Sequence, residues 1–182
     1  MRNFDIALYS IVSAIFIILL CAVLIFAVIF FSLVYGYWIG VSFVRSNKKK
    51  IRVMLELADM KPGTVIIDLG SGDGTLLIEA AKKGARSYGA ELNPFLVLVS
   101  RIKARFSGVS DTVSIARKDI FSVSLRDADI VFLYLSPQVI EKLKEKFASE
   151  LKSGAKIVSN TFPISGWIPE KETDGIFLYQ KH

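Results

Sequence analysis

The run Thr64-Val-Ile-Ile-Asp68 ends a short β-branched stretch in a carboxylate, and glycines follow at 70, 72 and 74. Such a turn lets a ligand approach bare backbone, because glycine takes positive φ without side-chain bulk. A helix beginning near Asp73 would aim its first N–H groups at the turn, which suits an anion. Asp68 is an acceptor for a cationic group beside it. A second acid, Glu91, closes the next apolar run in Gly-Ala-Glu-Leu-Asn-Pro, where a carboxylate can take two vicinal hydroxyls. A third, Asp119, follows a third apolar run and can accept an exocyclic amine, with Ile120 against a flat ring.

Together these groups describe a nucleoside with a zwitterionic amino-acid tail. A dinucleotide site would want G-x-G-x-x-G/A, but position 75 is threonine. The spacing therefore points to S-adenosylmethionine, contacted by Asp68, Gly70, Ser71, Gly72, Asp73, Gly74, Glu91, Leu92, Asn93, Asp119 and Ile120. A ligand-free structural turn, or a surface acid at 91 paired with lysine, is the plainer alternative. Leu133-Tyr-Leu-Ser-Pro137 ends a fourth apolar run and should face the reacting end of such a ligand. Tyr134, Ser136 and Pro137 are candidates for an acceptor channel. Asn160, Phe162 and Trp167 would form its opposite wall, with Tyr134 and Asn160 nearest the chemistry.

The elements that must position these residues alternate. We expect strands at 64–69, 86–91, 112–117, 129–135, 155–160 and 175–180. Helices are expected at 50–59, 73–84, 94–107 and 137–151, with irregular chain over 162–173. Alternation at this spacing argues an α/β, Rossmann-like, doubly wound and mainly parallel sheet. All three acids then fall at C-terminal strand ends, where such sheets bind ligands.

The chain has 182 residues, with one cysteine (Cys21) and one histidine (His182). Disulfide frameworks, zinc clusters and His-dependent triads are excluded, and no metal is expected. From Ile6 to Val44 no charged side chain occurs, far beyond the ~20 residues a bilayer core requires. We expect one transmembrane helix and a bilayer contact through 6–44. Residues 1–47 would be anchor and basic flank, and 48–182 the ligand-binding domain. Arg45, Lys48, Lys49, Lys50 and Arg52 follow the span, whereas Arg2 and Asp5 nearly cancel before it. The positive-inside bias puts the domain on the cytoplasmic side, with Tyr35, Tyr37 and Trp38 as an aromatic belt. The net charge of +6 is mostly this juxtamembrane run, which suits lipid headgroups better than nucleic acid.

Asp68-Leu-Gly-Ser-Gly-Asp-Gly74 followed by Glu91-Leu-Asn-Pro-Phe95 resembles the class I seven-strand methyltransferases. With the anchor, Ser100-Arg101, Lys118-Asp119, Phe132-Leu-Tyr-Leu-Ser-Pro137 and Phe162-Pro163, the chain is similar to small membrane-anchored protein-lysine methyltransferases over about residues 50–170. Their eukaryotic members work in mitochondria. The resemblance implies lysine methylation, with integral membrane proteins as substrates. The tail departs from the superfamily pattern, with the usual sixth helix and the full final hairpin abridged. No Arg-rich amphipathic presequence is visible, which favours a prokaryotic cytoplasmic membrane. Two alternatives remain at this level: a methyltransferase for a lipid or quinone-type molecule, and a non-catalytic cofactor-binding domain.

Overall fold

A computed structural model describes residues 2–38 and 47–182. The side chains of Arg2, Asp5, Tyr35, Tyr37 and Trp38, and Arg45 altogether, lie outside the described residues; the orientation and aromatic-belt expectations rest partly on them. The chain divides into two compact units, Met1–Phe43 and Val44–His182.

In the first unit, α1 runs unbroken from Arg2 to Trp38. Tyr9–Phe31 is long and apolar enough to cross a membrane, with a mean hydropathy of 3.4 over 23 residues and no buried face.

The second unit opens with α2 (Lys48–Leu57), capped by Asn47, whose side chain accepts the Lys50 amide at 2.8 Å. There follow β1 (Val65–Leu69), α3 (Thr75–Ala81), β2 (Arg86–Glu91), α4 (Pro94–Phe106) and β3 (Val113–Arg117). A 3-10 turn over Ile120–Ser122 leads to β4 (Ile130–Leu133), α5 (Pro137–Glu150), β5 (Lys156–Asn160), β6 (Lys171–Thr173) and β7 (Ile176–Gln180). The seven strands lie in the order β3-β2-β1-β4-β5-β7-β6. β1 to β5 are parallel, and β7 runs antiparallel between β5 and β6.

Helices cover both faces, so the central strands are apolar throughout rather than alternating. α2, α3 and α4 bury Ile51, Met54, Leu77 and Val97 on one side. α5 buries Ile140, Leu143 and Phe147 on the other. The chain leaves β1 in one direction and returns through β4 in the other, so the ligand crevice belongs at the C-terminal ends of β1 and β4.

Three details depart from the sequence expectation. α3 begins at Thr75, because Asp73 stays outside and its Oδ1 accepts the Thr75 amide and hydroxyl at 3.2 and 2.7 Å. α2 begins two residues early, at Lys48. The stretch 162–173 contains β6, which escaped notice because Lys-Glu-Thr is short, polar and exposed. No helix occurs over 161–170, as the abridged tail implied. The final hairpin nonetheless closes on Asp174 and Gly175, both at positive φ as a tight two-residue turn requires.

Candidate functional site

Asp68 lies within β1, in register with Gly89 of β2 and Phe132 of β4. It is only 8% exposed. Burial, then Glu91, then Asp73, push its carboxyl up from 3.8 to about 7. A carboxylic acid in that state is half ionised near neutrality, and a cation placed against it would restore its charge.

Glu91 ends β2 and is 4% exposed. Oε2 accepts the Gly72 amide at 2.9 Å and Oε1 the Asn93 amide at 2.8 Å. Each oxygen keeps a lone pair for a further donor. Asn93 in turn caps α4: its Oδ1 accepts the Phe95 amide at 3.0 Å, and Pro94 occupies the first turn. The Glu-Leu-Asn-Pro run is thus a strand end and a helix start locked to the glycine loop through one acid. Leu92, between them, is half-buried.

The loop itself differs from the expectation of open N–H groups. The Gly70 and Ser71 amides donate to the Ala90 carbonyl at 2.9 and 3.0 Å, and the Gly74 amide to the Ser71 carbonyl at 2.9 Å. With Gly72 held by Glu91, the chain uses these donors to fix the loop's shape. Gly70 has φ +84°, and a Cβ there would meet Leu135 Cδ2 at 3.2 Å. Gly74 has φ +71°, and a Cβ would stand 2.7 Å from Ser100 Cβ. Glycine is required by conformation at both, and at Gly74 by its neighbour as well. The Ser71 hydroxyl is buried with no hydrogen-bond partner.

Asp73 is ordered by α4: Lys103 Nζ sits 3.0 Å from its Oδ2. Burial raises the Asp73 carboxyl, but the Thr75 hydroxyl and the Lys103 ammonium outweigh it and hold it below the usual carboxylate range. Asp73 therefore serves first as a loop and helix anchor.

Asp119 follows β3 on the same edge, exposed, with Oδ1 accepting the Phe121 amide at 3.0 Å. Ile120 beside it is partly buried against the α5-side core. Tyr134 follows β4, half-buried, and Ser136 and Pro137 are exposed at the start of α5. The strand ends thus bring Asp68, Glu91, Asp119 and Tyr134 to one rim.

The opposite wall is different from expectation. Asn160 is fully buried at the end of β5, and its Oδ1 accepts Lys50 Nζ and Thr161 Oγ1, both at 3.1 Å. It holds neighbours in place rather than presenting an open face. Phe162 is partly buried, and its carbonyl accepts the Ser159 hydroxyl at 2.6 Å. Trp167 packs edge-on against Tyr179, whose hydroxyl accepts the Ile164 amide at 2.9 Å, and it joins the same apolar cluster as Leu135 and Phe162. Sequence reasoning missed Lys50, Lys103, Ser100 and Leu135. Ser100 and Leu135 stood within motifs already singled out, but nothing in the sequence aimed Lys50 at β5.

Residues 68–171 match the ANTKMT methyltransferase domain. The chain is 38% identical to the adenine nucleotide translocase lysine N-methyltransferase of Mus musculus, covering 78% of this chain and 64% of that protein. It is 35% identical to a protein-lysine N-methyltransferase of Saccharolobus islandicus (strain REY15A), covering 76% of this chain and 92% of that one. Among solved structures, an RNA methyltransferase from Salinibacter ruber in complex with S-adenosyl-L-homocysteine superposes with a TM-score of 0.72 at 38% identity, over 76% of this chain and 92% of that one.

Proposed function

Since the chain belongs to the ANTKMT methyltransferase domain family, we propose that it transfers a methyl group from S-adenosylmethionine to lysine side chains of membrane-associated proteins. The observation that carries the cofactor part is the buried acid pair: Asp68, raised to about 7, beside Glu91 at the end of the next strand. This acceptor set fits the cofactor, whose ammonium would pair with ionised Asp68 and whose ribose hydroxyls would donate to Glu91. Asp119 would take the adenine amine with Ile120 against the ring. The Gly70–Gly74 loop, with the unpartnered Ser71 hydroxyl, Leu92 and Asn93, would close around the tail and sugar. When bound, the cofactor supplies an electrophilic methyl group on a sulfonium.

The acceptor must arrive as a neutral amine. Lysine ordinarily titrates near 10.4, so deprotonation at pH 7 costs about 4.6 kcal/mol. A dry channel lowers lysine values by up to ~3–5 units, which supplies most of that term without a dedicated base. Tyr134, Ser136, Pro137 and Phe162 would form that channel, excluding water and aligning the amine. Asn160 would act through Thr161 and the chain beside it.

The lysine acceptor is supported by the two protein-lysine methyltransferases named above. The chain spans 64% of the mouse protein's length, so the acceptor is not carried over by identity alone. Membrane anchoring is supported by the unbroken apolar helix Tyr9–Phe31; the basic residues after it argue for a domain on the cytoplasmic side, the membrane being mitochondrial in a eukaryote. One finding favours a second acceptor, RNA: the similar Salinibacter ruber structure is that of an RNA methyltransferase. A lipid or quinone headgroup is equally compatible with an anchor.

Native membranes incubated with the full chain and methyl-labelled cofactor, then separated into protein, lipid and RNA, decide among these. Label on a lysine in a mapped peptide is the expected result. Label confined to RNA or lipid overturns the lysine assignment, and no transfer to any fraction leaves only a cofactor-binding domain.

A further inference from the structure

α2 carries three consecutive lysines, Lys48, Lys49 and Lys50, in its first turn, with no acid there. This opposes the helix dipole, which favours negative charge at that end, and crowds like charges together. The domain offers them little in return. Lys49 stands 3.8 Å from Asp174 with both side chains mostly exposed, and Lys50 binds neutral oxygens of Asn160 and Thr161 at 3.1 and 3.3 Å. A local rule broken with only one long, exposed ion pair among the described residues to offset it points to an external anionic partner.

Those same contacts fix where the lysines are. Asn160 ends β5, and Asp174 turns between β6 and β7 on the same edge. The first turn of α2 therefore sits at the C-terminal edge of the sheet, the edge that carries Asp68, Glu91 and Asp119. At the far end of that edge, beyond β3, Lys118 is exposed and Phe121 is 42% exposed. Between the two basic ends lie uncharged, exposed Gly70, Ser136 and Pro137. The partner class follows from chain order: Tyr9–Phe31 is long and apolar enough to cross a membrane, and the basic first turn of α2 follows it in the chain.

We propose that the C-terminal edge of the sheet, bracketed by Lys48, Lys49 and Lys118, is a docking surface for anionic lipid headgroups. The mouth of the site then opens at headgroup level, and the acceptor lysines are those lying at the membrane surface rather than far above it. This deepens the lysine-methylation reading and its substrate half rests on it.

The test uses the full chain in nanodiscs of phosphatidylcholine with phosphatidylglycerol, containing a headgroup-attached quencher. In a Cys21→Ser background a fluorophore is placed at Gln138→Cys, on the proposed edge, or at Ser153→Cys, before β5 on the opposite edge. The expected result is strong quenching at 138 and little at 153. Quenching at 138 should fall by about twofold or more with Lys48→Glu, Lys49→Glu and Lys118→Glu together, with pure phosphatidylcholine, or in ~1 M salt, where screening shortens to about 3 Å. Equal quenching at the two positions, a reversed order, or insensitivity to lipid charge overturns the docking surface, whatever the enzyme methylates. The expected quenching pattern without any lysine methylation overturns the acceptor assignment and leaves the docking surface standing.

Discussion

Glu91 reaches back from the end of β2 to hold the Gly72 amide at 2.9 Å, across the loop that follows β1. Its other oxygen holds the Asn93 amide at 2.8 Å. One buried acid therefore ties two adjacent strand ends and the start of α4 into a single unit, while keeping capacity for a ligand's hydroxyls. The loop's shape depends on this side chain, and under the proposed ribose assignment binding would depend on it too.

Glu91→Ala leaves two buried N–H groups unpaired. Each unsatisfied donor costs about 1–3 kcal/mol, so a marked loss of thermal stability is expected. S-adenosylhomocysteine affinity, read by calorimetry on folded protein below its melting temperature, should fall at least tenfold. Wild-type affinity in Glu91→Ala would sink the ribose assignment.

Asp68 sets a pH dependence whose sign is fixed. Its folded value, about 7, is above the ordinary 3.8, so the folded state holds the proton more tightly. The associated stability is complete below about 4 and is lost as pH rises through 7, amounting to about 4 kcal/mol. Asp68→Asn should therefore raise the melting temperature of the ligand-free protein more at pH 8 than at pH 5. It should also weaken cofactor binding.

Binding itself should follow the opposite course. Below pH 7 Asp68 must lose a proton to meet the cofactor's ammonium, so affinity rises with pH up to about 7. Above about 8 the cofactor's own α-amino group discharges and affinity falls. Titration calorimetry between pH 5.5 and 9 should trace this peak, and Asp68→Asn should flatten its acidic limb. A flat limb in the wild type would remove Asp68 from the ammonium site.

Gly74→Ala combines a positive φ with a Cβ 2.7 Å from that of Ser100. The expected loss is about 1–3 kcal/mol of stability. Gly74→Ala with Ser100→Gly should recover the steric part and not the conformational part. Full recovery in denaturant titration would mean the backbone is unstrained.

Tyr134→Phe keeps the ring and removes the hydroxyl at the half-buried end of β4. If the amine is deprotonated by a dry channel, kcat should fall only several-fold and KM for the cofactor should not move. A loss of about 10³ would instead assign the hydroxyl a role in proton transfer.

Much of this was legible in the chain itself. Val-Ile-Ile-Asp68 and Ala-Glu91 declare strands ending in acids because parallel strands buried on both faces need unbroken apolar runs. Glycines at 70, 72 and 74 declare a turn that side chains would block. The uncharged stretch to Val44 declares a long apolar helix, since α1 satisfies its own backbone. Local period and local chemistry suffice for such features.

Tertiary structure decided the rest. That the loop amides are consumed by Ala90 and Glu91, that Asp73 answers to Lys103, and that Lys50 reaches Asn160 are contacts between residues 19 to 110 positions apart. β6 formed because β7 offered it an edge, against the message of three polar residues. The sequence settles which elements exist, because periodicity and turn chemistry are local. Packing of those elements settles which donors remain open, because a hydrogen bond already made within the fold is not available to a ligand.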